Sequence, residues 1–192
     1  KNKNNRMKYT LVGEETERLK FRLLNIDDFD VWVELFENIE VCRFLGVDKI
    51  ETPKERCKLW FEMTFERYKN DLGGANILIE KSTNKIIGQS GLIVREIDGK
   101  QEIEIAYSSL PEFRKKGFAS ESTEKCKEFA FENKFSESLI SIINTENVNS
   151  KKVAKKNGME NDKTIDYNGM LVNIYRIEIS EKQIEKRRTT DT

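Results

Sequence analysis

Arg114-Lys115-Lys116-Gly117-Phe118-Ala119-Ser120-Glu121 is the stretch on which the fold turns. Ahead of it, Glu102-Ile103-Glu104-Ile105-Ala106-Tyr107 alternates polar and apolar with the period of a strand; after it, Cys126, Phe129 and Ala130 recur at helical spacing. The order is therefore strand, loop, helix. The first N–H groups of a helix have no partner inside it, and the positive end of the helix dipole lies there. A loop entering that end through Arg114, Lys115 and Lys116 is a candidate cradle for phosphate oxygens. Gly117 lets the backbone approach a ligand closely, and small Ala119 keeps the next turn open. The same pattern also begins many ordinary helices, so its neighbours have to decide.

Outward from this loop, Asp98-Gly99 turns a strand over 85–95 back into the strand over 101–108, and Ser82-Thr83-Asn84 joins 85–95 to a strand over 75–80. A helix precedes them. Thr52, Pro53 and Glu55 spell a capping box with proline at the first helical position, and Cys57, Trp60, Phe61, Thr64, Phe65 and Tyr68 form its buried stripe up to Gly73-Gly74. Val41 to Glu51 reads as a connection with at most a short helical turn. Before it, Phe29, Trp32, Val33 and Phe36 share one face of a helix that starts at Asp27 or Asp28 and ends near Asn38, after a first strand over 17–23. On the other side of the loop, a helix over 120–133 leads to a buried strand at Leu139, Ile140, Ile142 and Ile143. A short basic helix over 150–157 ends at Gly158, and Asn168-Gly169 marks a hairpin between 164–167 and 170–179.

A chain of 192 residues fits one domain with a sizeable core. We expect that domain over 11–180, a flexible leader or expression remnant over 1–10 with Met7 a candidate initiator, and a charged tail over 181–192. Lys plus Arg and Asp plus Glu both number 34, so no overall field draws the molecule to nucleic acid or membrane. No apolar run is long enough for a membrane span and no export signal is evident, which makes the cytoplasm the expected compartment. Cys42, Cys57 and Cys126 are odd in number and widely spaced, and read as reduced, structural thiols. The chain contains no histidine, which leaves no metal site in prospect and removes Ser-His-Asp and Cys-His hydrolases from consideration. Any proton transfer must use carboxylate, Tyr, Lys, Ser, Cys or water.

Four segments, in order, carry a resemblance. They are Thr16-Glu17-Arg18-Leu19-Lys20-Phe21-Arg22, Ile86-Ile87-Gly88-Gln89-Ser90-Gly91-Leu92, the Arg114-x-x-Gly117-x-Ala119 loop, and Asn147-Val148-Asn149-Ser150 followed by Ala154-Lys155-Lys156-Asn157-Gly158-Met159. Together they resemble the GNAT N-acetyltransferase superfamily, in its RimJ/RimL-like branch. The resemblance implies an α/β (α+β) fold of the GNAT acyl-CoA N-acyltransferase type: a mixed, twisted sheet of about six to seven strands flanked by about four helices. It implies direct acetyl transfer from acetyl-CoA, the acyl-donor cosubstrate, to a primary amine in a ternary complex. The acceptor would be a protein N-terminus or a small molecule, and the enzyme a monomer or homodimer.

Such a reaction needs a grip on the acyl carrier, removal of a proton from the amine, and donation to the leaving thiolate. For the grip, Gly117, Phe118, Ala119 and Ser120 offer backbone N–H groups, and Arg114, Lys115 and Lys116 offer charge. By resemblance Tyr107 and Asn147 join the cofactor site, and Lys151, Lys152 and Lys155 are further phosphate candidates. Glu104 matches the strand-four Glu and is the candidate base, with Glu102 in reserve; an exposed strand carboxylate is the plain alternative. Many relatives place a Tyr acid where this chain has Ala154. Ser150 matches the Ser proposed to replace that acid, and could equally be a helix N-cap. A non-catalytic acyl-CoA-binding regulatory module is the rival reading, motivated by Ala154. Trp32, Trp60 and Phe65 are either core or walls of an acceptor pocket.

Overall fold

The computed structural model describes residues 7–180. Residues 1–6 of the leader expected over 1–10, and the whole tail over 181–192, lie outside the described residues. From residue 7 onward the chain belongs to the fold. Met7 and Tyr9 pack on the core, Thr10 is buried, and the Lys8 N–H donates to Asp71 Oδ1 at 2.7 Å. The folded body thus starts before residue 11, because Tyr9 meets Phe135 edge-on and Leu11 is fully enclosed.

The elements are β1 (Leu19–Leu23), α1 (Phe29–Val33), α2 (Ile39–Leu45), α3 (Pro53–Lys69), β2 (Asn76–Glu80), β3 (Ile86–Ile97), β4 (Lys100–Ser109), α4 (Phe118–Glu132), β5 (Ser138–Asn144), α5 (Val148–Lys156), β6 (Glu160–Tyr167) and β7 (Met170–Glu178). The strands form one sheet in the order β1-β2-β3-β4-β5-β7-β6. Every neighbouring pair is antiparallel except β4 and β5. The mixed α/β architecture matches the expectation, with seven strands and five α-helices among the described residues.

Local chemistry explains most boundaries. Asp98-Gly99 and Asn168-Gly169 each hold two successive residues at positive φ, the geometry of two-residue hairpins whose twist suits the flanking strands. Thr52 accepts from the Glu55 N–H and Pro53 opens α3, as its sequence predicts. The helix expected from Asp27 or Asp28 to Asn38 is instead broken into a 3-10 turn, α1 and a second 3-10 turn. Asn25 caps its start, while Asp28 turns back to accept from the Asn25 N–H and to bind Arg22. The connection expected over 41–51 begins with α2, since Asn38 Oδ1 accepts from the Glu40 and Val41 N–H groups and Gly46, at φ 75°, closes the far end. Trp32 and Trp60 are core residues in a tilted contact, and Phe65 packs at the edge of the same cluster. All three cysteines are free and buried.

Candidate active site

β4 and β5 run parallel, and their register holds a single pair, Glu104 with Ile140. Past that pair the backbone ladder between the two strands is not continued. Ser141 Oγ still bridges to the Ile105 carbonyl at 2.8 Å, but the rest of β4 up to Ser109 meets β3 on one side and no β5 partner on the other. The result is a wedge whose vertex is at Glu104 and whose mouth faces the loops after the two strands. A sheet edge left open in this way presents N–H and C=O groups to an extended ligand.

Two helix starts converge on that mouth. After β4 the chain makes a 3-10 turn at Pro111–Phe113 and then passes through Lys115 and Gly117, both at positive φ, into α4. Gly117 is the N-cap and no side chain caps the helix; the first internal bond runs from the Glu121 N–H to the Gly117 carbonyl at 3.1 Å. The N–H groups of Phe118, Ala119 and Ser120 precede that bond and are open to a ligand. Arg114, Lys115, Lys116 and Gly117 are exposed around them, whereas the Phe118 ring is buried, so this residue contributes backbone only. Arg114 Nε donates to the Ser109 carbonyl at 3.3 Å, and Lys116 Nζ lies 5.1 Å from the centre of the Phe113 ring.

After β5, Asn147 caps α5 by accepting from the Ser150 N–H at 3.0 Å. The capping alternative for Ser150 therefore falls to Asn147, and Ser150 stands inside the first turn. Its hydroxyl makes no hydrogen bond among the described residues, while its carbonyl accepts from the Tyr107 hydroxyl at 2.7 Å. Burial raises the Tyr107 pKa well above the ordinary phenol value, with Glu104 and Tyr175 adding to the rise, so the phenol holds its proton at neutral pH. Lys151 Nζ is occupied by the Thr145 carbonyl at 2.6 Å; Lys152 and Lys155 are exposed. Ala154, where a Tyr acid would sit, is sealed in the core.

Glu104 is only 2% exposed, which excludes the plain reading of a solvated strand carboxylate. Its Oε2 accepts from Arg95 Nε at 2.7 Å, and Oε1 has no hydrogen-bond partner among the described residues. Burial works against the charge on Arg95, yet the attraction of Glu104 prevails and raises its pKa. Arg67 of α3 lies near this pair: burial, then repulsion from Arg95, lowers its pKa. The reserve candidate, Glu102, is gripped by both terminal nitrogens of Arg176, at 2.9 and 3.1 Å. It has no oxygen to spare.

The two faces of β4 serve different ends. Ser90 pairs with Tyr107 across the ladder, and its hydroxyl meets Cys126 Sγ of α4 at 3.4 Å, which puts Tyr107 on the α4 face. Glu104, an odd number of residues away, points to the opposite face beside Arg95. The wedge lies between the two.

Sequence reading missed two partners. Arg95 was findable, since the tight Asp98-Gly99 turn sets Arg95 against Glu102 and so on the face of Glu104. Arg18 was not: it comes from the segment before β1, yet Nη1 donates to the Lys116 carbonyl at 3.0 Å and Nε to Glu121 Oε2 at 2.6 Å, with its guanidinium carbon 4.4 Å from the centre of the Phe118 ring. No local pattern links residues 103 positions apart. Among the described residues no cluster of His, Cys, Asp and Glu could hold a metal ion, and no helix is long and apolar enough to cross a membrane.

Comparisons with known proteins agree with this geometry. The acetyltransferase (GNAT) domain matches residues 18–160. The uncharacterized N-acetyltransferase YoaA of Bacillus subtilis (strain 168) is 26% identical over 149 residues, covering 77% of this chain and 82% of its own. An acetyltransferase structure from Agrobacterium tumefaciens str. C58 superposes with a TM-score of 0.70 at 21% identity, over 86% of this chain and 93% of that one. RimL, the ribosomal L7/L12 alpha-N-protein acetyltransferase solved with coenzyme A, superposes with a TM-score of 0.68 at 15% identity, over 88% and 98%. With the domain matched over most of its length and the fold shared with RimL, this chain belongs to the GNAT acetyltransferase family.

Proposed function

We propose that this acetyltransferase moves an acetyl group from acetyl-CoA to a primary amine, directly, with both substrates bound at the β4–β5 wedge. The observation that carries the reading is the parting of the sheet's parallel pair at Glu104, with the uncapped start of α4 at the open end. The free edge of β4 over 105–109 pairs with the amide groups of an extended pantetheine arm. The N–H groups of Gly117, Phe118, Ala119 and Ser120 hold the pyrophosphate, and Arg114, Lys115 and Lys116 balance its charge.

Acetyl-CoA supplies an activated acyl group as its thioester. Because Glu104 faces one side of the sheet and Tyr107 the other, the amine reaches the wedge from the Glu104 side while the donor's phosphates stay on the α4 side. Glu104 Oε1 takes the proton lost by the attacking nitrogen, directly or through one water. Arg95 holds the other oxygen and fixes the carboxylate in place. The Ser150 hydroxyl, at the start of α5, donates to the departing thiolate, and Asn147 keeps that turn formed. One C–N bond forms and one C–S bond breaks; the thiol takes its proton from Ser150, and the proton that Glu104 took from the amine passes through solvent to restore the Ser150 hydroxyl and the Glu104 carboxylate.

RimL acts, by its name, on the N-terminus of a ribosomal protein, and a spermidine N-acetyltransferase from Vibrio cholerae shares the fold as well, so N-terminal peptides and polyamines both belong among the first acceptors to try. The test is release of free thiol from acetyl-CoA against a panel of small amines and N-terminal peptides. Turnover on any of them supports acetyl transfer; CoA binding with no thiol release across the panel would instead favour the non-catalytic acyl-CoA-binding module.

A further inference from the structure

Glu121 closes the first turn of α4, just past the N–H groups that must receive a pyrophosphate. A carboxylate there competes with a phosphate on two counts: it repels the ligand, and it is itself drawn to the positive end of the helix. The structure resolves this competition through the segment before β1. Thr16 Oγ1 donates to Glu121 Oε1 at 2.5 Å, the Arg18 N–H donates to the same oxygen at 3.0 Å, and Arg18 Nε and Nη2 both reach Oε2 at 2.6 Å. Both oxygens are held.

The same guanidinium does a second thing. Its Nη1 donates to the Lys116 carbonyl, the carbonyl just before Gly117, and its Nη2 lies 3.4 Å from where a Cβ on Gly117 would stand. Arg18 therefore lies against the left-handed turn that opens α4, with the Phe118 ring under its guanidinium.

We propose that Arg18 and Thr16 form a clamp that draws the Glu121 carboxylate away from the phosphate loop and fixes Lys116-Gly117, so that the open N–H groups of α4 face a cofactor and not a carboxylate of their own helix. Arg18 is a positioning residue, acting through Glu121 and the loop. The inference rests on the reading that acetyl-CoA binds this loop. Without the clamp, Glu121 is an intrinsic competitor for the site.

The experiment is a double-mutant cycle on CoA binding by calorimetry, using the full chain: wild type, R18A, E121Q and R18A/E121Q. R18A is expected to weaken CoA about tenfold, E121Q to tighten it about threefold, and the double variant to recover most of the R18A loss. A second readout separates clamp from general damage. Against S-acetylpantetheine, which carries no pyrophosphate, R18A should lose far less kcat/KM than against acetyl-CoA, and the acetyl-CoA loss should sit in KM. Equal and additive weakening by R18A and E121Q, or equal losses with both donors, overturns the clamp while leaving acetyl transfer intact. Failure of the wild type to bind CoA at all overturns both. If R18A does not fold, E121Q alone decides, since weakened CoA binding in that variant contradicts the proposal.

Discussion

The Tyr107 hydroxyl in β4 donates to the Ser150 carbonyl at the start of α5, 43 residues later, at 2.7 Å. This bond spans the mouth of the wedge on its α4 side and ties the first turn of α5 to the strand that carries Glu104. Y107F removes the donor and leaves the carbonyl to find water or go unpaired. A loss of about 1–2 kcal/mol is expected for a partly buried acceptor left without its partner. Chemical denaturation measures it, and a kcat lower in Y107F than in wild type at saturating acetyl-CoA would tie the bond to the position of Ser150 as well.

Glu104→Gln keeps the shape of the side chain and removes the base. It also leaves Arg95, itself half-buried, facing a neutral amide. A fall in kcat of at least about a hundredfold is expected, in the range that positioned general bases supply. CoA affinity, read separately by calorimetry, should be retained within a small factor. A kcat near that of wild type would remove Glu104 from the chemistry.

Gly117→Ala places a Cβ on a residue at φ 85°, where non-glycine residues are strained by roughly 1–2 kcal/mol. The new methyl would also come into contact with Arg18 Nη2, 3.4 Å away. A several-fold rise in KM for acetyl-CoA with a lowered thermal midpoint is expected. The converse, a destabilised protein with KM unaltered, would separate this turn from the donor site.

Acid should loosen the same clamp. Burial opposes ionisation of Glu121, but the hydrogen bonds from Thr16 and Arg18 prevail and hold its pKa below the ordinary 4.5. A carboxylate depressed on folding contributes stability above its unfolded pKa, and that contribution fades as pH falls through the folded value. The thermal midpoint of wild type should therefore decline below about pH 4.5 more steeply than that of E121Q, which lacks this proton uptake. Parallel curves for the two proteins would refute the assignment.

The thiols should be silent. Burial pushes Cys57 and Cys126 up to about 12 and raises Cys42 as well, so none offers thiolate near neutrality. A disulfide reagent should titrate few or no thiols in the native state and all three after denaturation. The same reagent can then follow CoA release with little background from the enzyme.

What the sequence made legible was local. Thr52-Pro53, Asp98-Gly99 and Asn168-Gly169 act through their own φ preferences and caps, within a few residues, and each turn or helix start is where they put it, although β6 begins at Glu160, four residues before the expected 164–167 strand. The loop from Arg114 to Ala119 announced itself for the same reason. Two things were not legible. α2 is only seven residues long, too short for an apolar stripe to declare a period, and its helix depends on Asn38 and Gly46 at its ends. The clamp on Glu121 depends on a segment at the far end of the chain, and no periodicity encodes it; the β3–β4 register that sets Arg95 beside Glu104, by contrast, follows from the Asp98-Gly99 turn.

The single register pair between β4 and β5 also has a mechanical meaning. The sheet is two antiparallel panels, β1 to β4 and β5 with β7 and β6, joined in register only where Glu104 meets Ile140. On the proposed reading, a donor seated between them would act as mortar in the seam, supplying the ladder that the protein leaves out and serving as a temporary structural member of the sheet until its own chemistry dissolves it.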